Sequence, residues 1–176
     1  MTLPIRHATP ADATALATLG ARLFSENFAH LYDPRDLAAF LAESYSPEYF
    51  LQELKHCTIL LAMDGADIIA YAKLGALSLP APAPKKDAAE LHRLYIASGH
   101  QGQGLGHAMM QEILSQPCMK TASEIYLGVW ENNFRAQKFY AGYGFLVVGE
   151  YLYPVGGHRD RELIMKLEKP ANVDIV

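Results

Sequence analysis

Gln101-Gly102-Gln103-Gly104-Leu105-Gly106 is the stretch on which the reading of this chain turns. It closes an apolar, strand-like run from Leu91 to Ala97 and opens an amphipathic helix beginning near Leu105. The glycines remove Cβ atoms where a ligand must approach the backbone. The first turn of the helix offers unpaired N–H groups and the positive end of its dipole. A strand, a glycine loop and a helix start in this order predict a site for a phosphate or pyrophosphate.

Spacing narrows the ligand. A dinucleotide fingerprint G-x-G-x-x-G counted from Gly102 needs Gly or Ala at position 107, which is His107. The ATP loop G-x-x-x-x-G-K-S/T fails too, because no Lys followed by Ser or Thr closes the cluster. The loop is therefore not that of a dehydrogenase or a kinase.

Outward from the loop, the chain alternates strand and helix signals. Ile5 to Ala8 reads as a short strand, and Thr9-Pro10 as a helix start ahead of apolar positions Ala15, Leu16, Leu19, Leu23 and Phe28. Asp33-Pro34 and Ser46-Pro47 repeat the start signal, predicting helices over 34–43 and 47–55. Thr58 to Met63 and Asp67 to Leu77 read as two strands about an Asp64-Gly65 turn. Ser78 to Lys86 holds Pro80, Pro82 and Pro84 and can only be a loop. Ser123 to Trp130 is the next strand and Asn133 to Tyr143 a helix stopped by Gly144. Phe145 to Tyr153 and Arg161 to Leu167 form a last strand pair about the 154–158 turn. Residues 1–170 are expected as one domain and 171–176 as a loose tail.

The 176 residues, 51% of them hydrophobic, suffice for one well-buried domain. No apolar run approaches the ~20 residues of a spanning helix, and no signal-peptide layout opens the chain, so a cytoplasmic protein with no membrane partner is expected. Cys57 and Cys118 have neither C-x-x-C nor metal-ligand spacing, so neither a disulfide nor a metal is indicated. A net charge of -4 and the lack of a basic helix argue against a nucleic-acid partner. Acids gather in the first third, compatible with a cationic ligand.

Two sets of residues carry a family resemblance. Gln101, Gly104 and Gly106, after the run Glu90-Leu91-His92-Arg93-Leu94-Tyr95-Ile96, match the pattern Gln/Arg-x-x-Gly-x-Gly/Ala. Leu127 to Phe145 matches L-x-V-x-x-x-N-x-x-A-x-x-x-Y-x-x-x-G-F. In this order and at this distance they resemble motifs A and B of the GCN5-related N-acetyltransferases. The resemblance implies an α/β (α+β) fold with a mixed central sheet of about six to seven strands, flanked by helices, whose central parallel strands splay apart. It also implies acetyl-coenzyme A as cosubstrate, no metal, and a small-molecule primary amine as acceptor.

By the same resemblance, Gln101, Gly102, Gln103, Gly104, Leu105, Gly106 and His107 would hold the pyrophosphate. The backbone of Leu94, Tyr95 and Ile96 would pair with the pantetheine arm, and Asn133, with Asn132 as its neighbouring alternative, would contact the coenzyme. Tyr140 stands at the general-acid position, where a phenol can protonate the leaving sulfur; an isolated helical tyrosine would instead read as core. Glu90, six positions before Ile96, is the first candidate for general base and His92, on the same strand face, the second. A solvated glutamate at a strand start is the plain alternative. His158 and Arg159 lie in the last hairpin, where solvation is the ordinary role.

The segments 24–28, 48–54, 127–133 and 153–166 further resemble bacterial PaiA-type acetyltransferases, which acetylate spermidine and spermine. A polyamine would need clustered acids, for which Glu26, Asp33, Asp36 and Glu43 are candidates by charge. Amino acids, peptide N-termini and protein lysines are alternative acceptors of the same fold. A non-catalytic coenzyme A-binding regulator is the alternative of another class, against which Glu90 and Tyr140 speak. Many relatives dimerise, so a homodimer is an expectation of resemblance alone.

Overall fold

Gly65 sits at φ 58° and turns the chain between β2 (Thr58–Asp64) and β3 (Asp67–Ala76), so that Asp64 faces Asp67 across the hairpin. This left-handed position is one that glycine fills without strain. The computed structural model describes residues 3–169, and the expected tail at 171–176 lies outside them. Before the hairpin come β1 (Ile5–His7), α1 (Ala13–Phe28), α2 (Pro34–Ser44) and α3 (Pro47–Glu53). After it come β4 (Ala89–Ile96), α4 (Leu105–Ser115), α5 (Pro117–Thr121), β5 (Glu124–Trp130), α6 (Phe134–Ala141), β6 (Leu146–Val155) and β7 (His158–Glu168).

The local signals explain the helix starts. Pro34 and Pro47 occupy the first turns of α2 and α3, and the side chains of Asp33 and Ser46 accept hydrogen bonds from the amides of Arg35 (2.8 Å) and Tyr49 (3.1 Å). Ahead of α1, Pro10–Asp12 is a separate 3-10 turn. There Asp12 accepts from the Thr9 amide at 2.7 Å, so the helix begins three residues later than Thr9-Pro10 suggests. Other places differ from the sequence reading as well. The β4 strand starts at Ala89, which brings Glu90 inside it. The last turn is only Gly156-Gly157, with β7 starting at His158, and α5 forms where Pro117 begins a new turn.

The seven strands lie in the order β1-β2-β3-β4-β5-β7-β6, and every neighbouring pair is antiparallel except β4 and β5. This is the mixed sheet flanked by helices that the motifs implied. Alternation along the strands feeds two cores. Leu60 and Ala62 join Met109, Met110 and Ile113 of α4 on one face, while Ile59 and Leu61 join Leu16, Leu23 and Phe24 of α1 on the other. A Cβ on Gly20 would stand 2.6 Å from the Tyr45 ring, so glycine is what lets α1 approach this closely. Residues of α2 and α3 complete that second layer, and α6 contributes Ala136, Phe139 and Tyr140 to the first.

The parallel pair positions the site. β4 and β5 are in register only at Ala89 with Ile125 and Glu90 with Tyr126, and beyond Glu90 they separate. From Leu91 onward β4 keeps β3 as its neighbour on one side and has an unpaired edge on the other. Unpaired strand N–H and C=O groups need a partner. The gap between these strands opens at the same end of the sheet as the glycine loop.

Candidate active site

The glycine loop is built by backbone requirement. Gly102 (φ 76°) and Gly104 (φ 84°) take the left-handed conformation, and a Cβ at either would meet nothing within 4 Å, so conformation rather than space calls for glycine. Ala108 N–H to the Gly104 carbonyl (3.1 Å) is the first turn of α4, which leaves the amides of Leu105, Gly106 and His107 free for an anion. Gln101 braces the loop by donating to the Ile96 carbonyl (2.9 Å) and accepting from Arg135 (2.8 Å). Gln103 donates to the Gly99 carbonyl at 2.9 Å.

These groups border a cavity of about 410 Å³ lined by Leu94, Ile96, Gln101, Gly102, Gly104, Gly106, His107, Asn133, Arg135, Phe139 and Tyr140 among others. Leu105 buries its side chain in the core instead, and Gln103 does not line the cavity. His107 holds its Nδ1 2.7 Å from the Tyr143 hydroxyl, with its ring against Phe139. Asn133 caps α6 through its Oδ1, which accepts from the Ala136 amide at 3.1 Å, and it also lines the cavity. Asn132 is exposed and borders no described cavity. Arg135, an unforeseen cation, stands beside the glycine loop.

A second cavity of about 460 Å³ adjoins the first, and Leu94, Asn133, Ala136 and Tyr140 line both. Tyr140 is buried, its hydroxyl makes no hydrogen bond to another described residue, and burial alone pushes its phenol upward, so it holds its proton at neutral pH. Glu90 enters the second cavity from β4 and is 4% exposed, which removes the reading of a solvated glutamate. Its Oε2 accepts from the Ser78 amide (2.6 Å), the Ser78 hydroxyl (2.9 Å) and the Leu79 amide (3.0 Å), and its Oε1 lies 2.9 Å from His92 Nδ1. Burial pushes this carboxyl up, but His92 and Ser78 outweigh it and the net shift is downward. The proline loop beginning at Ser78 thus supplies the donors that hold Glu90.

The far wall is aromatic and acidic. Phe28, Tyr32, Trp130, Tyr151 and Tyr153 line this cavity together with Asp160 and Glu162 of β7. The Tyr151 hydroxyl donates to Glu162 at 2.6 Å, and Tyr32 donates to Asp160, which also meets His158 Nε2 at 3.0 Å. Burial, with the charge of Asp160, raises the Glu162 carboxyl against the opposing bond from Tyr151. Lys73, paired with Glu53, and Arg93, stacked 4.4 Å over the Tyr45 ring, close the opposite side.

The acids proposed from charge alone do not reach this cavity. Glu26 pairs with Arg22 on the surface of α1, Asp33 caps α2, Asp36 accepts from the Gly157 amide, and Glu43 is exposed. Arg159 bonds the carbonyls of its own turn. Asp160 and Glu162 went unnoticed, although their spacing of two in a strand places both on one sheet face. Among the described residues no group of three or more His, Cys, Asp or Glu is placed to hold a metal ion, both cysteines are free, and no helix is long and apolar enough to cross a membrane.

Free amides at the start of α4 thus face one end of a cleft between splayed parallel strands, and Tyr140 stands where that cleft meets a second cavity with an acidic and aromatic wall, an arrangement suited to an acyl-group transferase. The chain belongs to the acetyltransferase (GNAT) family, whose profile matches residues 22–145, and it is an N-acetyltransferase by class. It is 31% identical over 159 residues to an uncharacterized N-acetyltransferase of Mycobacterium tuberculosis, covering 89% of this chain and 97% of the relative. It is also 28% identical over 110 residues to the spermine/spermidine N(1)-acetyltransferase of Bacillus subtilis, covering 60% of this chain and 72% of that protein. Among solved structures, the PaiA N-acetyltransferase of Thermoplasma acidophilum in complex with coenzyme A superposes with a TM-score of 0.73 at 20% identity, covering 96% of this chain and all of that one.

Proposed function

We propose that this protein transfers the acetyl group of acetyl-coenzyme A to a cationic primary amine, with polyamines the first candidates. The observation that carries the reading is the meeting of two cavities at Tyr140, one of them faced by the free amides of the α4 N-terminus and the other lined by Asp160 and Glu162. A pyrophosphate suits the first, because free amides and a helix dipole favour negative charge. The unpaired edge of β4 at Leu94, Tyr95 and Ile96 suits the amide-bearing arm of coenzyme A, which can complete the ladder. Coenzyme A supplies the acetyl group as a thioester when bound, and the chain's own residues do the rest.

In this reading the loop Gln101 to His107 and Arg135 hold the phosphates, and Asn133 lies where the two cavities join. Tyr140 delivers a proton to the departing sulfur. Its phenol is protonated at neutral pH, and because burial makes it a weaker acid the transfer depends on the thiolate forming directly beside it, where burial raises the proton affinity of the sulfur as well. The Glu90 side of the second cavity supplies the base function. Asp160 and Glu162 attract the ammonium groups, and the aromatic walls suit the methylene chain between them.

Polyamine acetylation draws support from three directions: the acidic, aromatic acceptor cavity, the likeness to the Bacillus spermine/spermidine enzyme, and the fold shared with the Thermoplasma PaiA protein. The test is thiol release from acetyl-coenzyme A by the purified protein over a panel of spermidine, spermine, amino acids and a short lysine peptide. A protein-only blank corrects for Cys57 and Cys118. Highest kcat/KM with polyamines is expected. A preference for amino acids or for the peptide would overturn the acceptor assignment, and no release with any amine would overturn the enzymatic reading.

A further inference from the structure

Glu90 has little capacity left to accept a proton from a substrate. A carboxylate offers about four acceptor positions, and four donors already occupy this one: two amides and a hydroxyl on Oε2, and His92 Nδ1 on Oε1. Three of them crowd Oε2, so the one open position is the second on Oε1, beside the His92 ring and buried. His92 is differently placed. It lines the same cavity, and its Nε2 makes no hydrogen bond to any described residue.

The backbone favours this arrangement. β4 pairs Arg93 with Lys73 and Leu91 with Leu74, so His92 is the extra residue of a β-bulge, a device that re-aims a side chain. Opposite the ring stands Gly75 of β3, where a Cβ would lie 3.5 Å from Nε2. The titratable and charged groups around the imidazole are Glu90 on its own strand, Cys57 beyond Gly75, the Lys73–Glu53 pair, and Tyr151 and Glu162 across the cavity.

We propose that His92 Nε2 takes the proton of the acceptor ammonium, and that Glu90 is a positioning residue that holds the ring and fixes the proton on Nδ1. A carboxylate on one ring nitrogen leaves the other as the acceptor. The assignment rests on the N-acetyltransferase reading and names the base within it. His92 removes one proton from the ammonium, and the freed nitrogen lone pair forms the C–N bond to the acetyl carbon as the C–S bond breaks. Tyr140 protonates the sulfur. The second proton shed by the nitrogen restores the phenol, and His92 returns its own to solvent, so one proton is released per turnover. The lowered carboxyl of Glu90 agrees, since an anion that well held is a weak base.

The experiment compares pH profiles of kcat/KM for the best amine in the wild type, His92→Gln and Glu90→Gln at saturating acetyl-coenzyme A. Nitrogen-15 NMR of the imidazoles is run on the wild type and Glu90→Gln. Expected is a fall of about a hundredfold in His92→Gln, loss of the acid limb, an unchanged KM for acetyl-coenzyme A, and recovery toward wild-type rate at high pH, where the amine is already neutral. Glu90→Gln keeps an acid limb at reduced rate. The wild-type His92 spectrum shows the Nδ1–H tautomer. The proposal is overturned if His92→Gln stays within threefold and keeps its limb, if Glu90→Gln alone abolishes the limb, or if His92 carries its proton on Nε2. A wild type that binds acetyl-coenzyme A but acetylates no amine sinks the enzymatic reading instead, and the tautomer still decides the pairing of Glu90 with His92.

Discussion

Replacing Glu162 by glutamine separates what the acceptor cavity does for an ammonium from what it does to the fold. Two unit charges about 4 Å apart at an effective dielectric near 20 attract by roughly 4 kcal/mol. Desolvating the ammonium offsets part of this, and hydrogen bonds to charged groups contribute a net of about 1.5–3 kcal/mol. That corresponds to roughly 10- to 150-fold in amine affinity. Asp160 stays in place, held by Tyr32 and His158, so the lower half of the range is expected. Initial rates against spermidine should show a KM raised about ten- to fiftyfold, with the KM for acetyl-coenzyme A unmoved because Glu162 borders only the second cavity.

Stability should move the other way. Burial raises the folded-state carboxyl of Glu162 above its ordinary 4.5, so its uncharged form favours the fold and its ionised form opposes it. The wild type bears that opposition in full above the raised value and loses it as pH falls to 4.5. Glu162→Gln, which can still accept from Tyr151, should therefore melt higher than wild type near pH 7–8. The gap should close as the pH falls below about 4.5. A KM within threefold of wild type would refute the cavity assignment, and a lower melting temperature at neutral pH would refute the electrostatic reasoning.

Two further outcomes are expected. Tyr140→Phe removes a hydroxyl that bonds to no described residue, so turnover should fall at least about tenfold while calorimetry shows little change in acetyl-coenzyme A affinity; unchanged turnover would remove the proton-donor role. Gly104→Val forces a branched side chain into φ 84°, costing about 1–2 kcal/mol in a denaturant titration although nothing crowds the new atoms. It should also weaken coenzyme A binding by displacing the start of α4, and undiminished affinity would argue against the phosphate cradle.

The features legible in the chain are those whose causes are local. Gly102 and Gly104 mark left-handed positions, Pro34 and Pro47 mark first turns with Asp33 and Ser46 as caps, and Asp64-Gly65 marks a hairpin. Each depends on a few adjacent residues, so each was readable from them. The glycine loop, Asn133 as helix cap and Tyr140 on the buried stripe of α6 were legible in the same way. The acid cluster was not. Charge alone drew attention to Glu26, Asp33, Asp36 and Glu43, and the fold uses three of these for a surface pair, a cap and a brace on a turn.

Sheet order decided the rest. Insertion of β7 between β5 and β6 carries Asp160 and Glu162 to the cavity opposite Glu90, some seventy residues away along the chain. Separation of β4 from β5 after two paired positions opens the cleft, and the bulge at His92 leaves that residue unpaired with β3, with its imidazole among the groups that line the second cavity. Periodicity and caps report how a segment bonds to itself. Which strands become neighbours, and where a parallel pair stops pairing, is set by packing energies summed over both faces of the sheet, and only the tertiary structure expresses that sum.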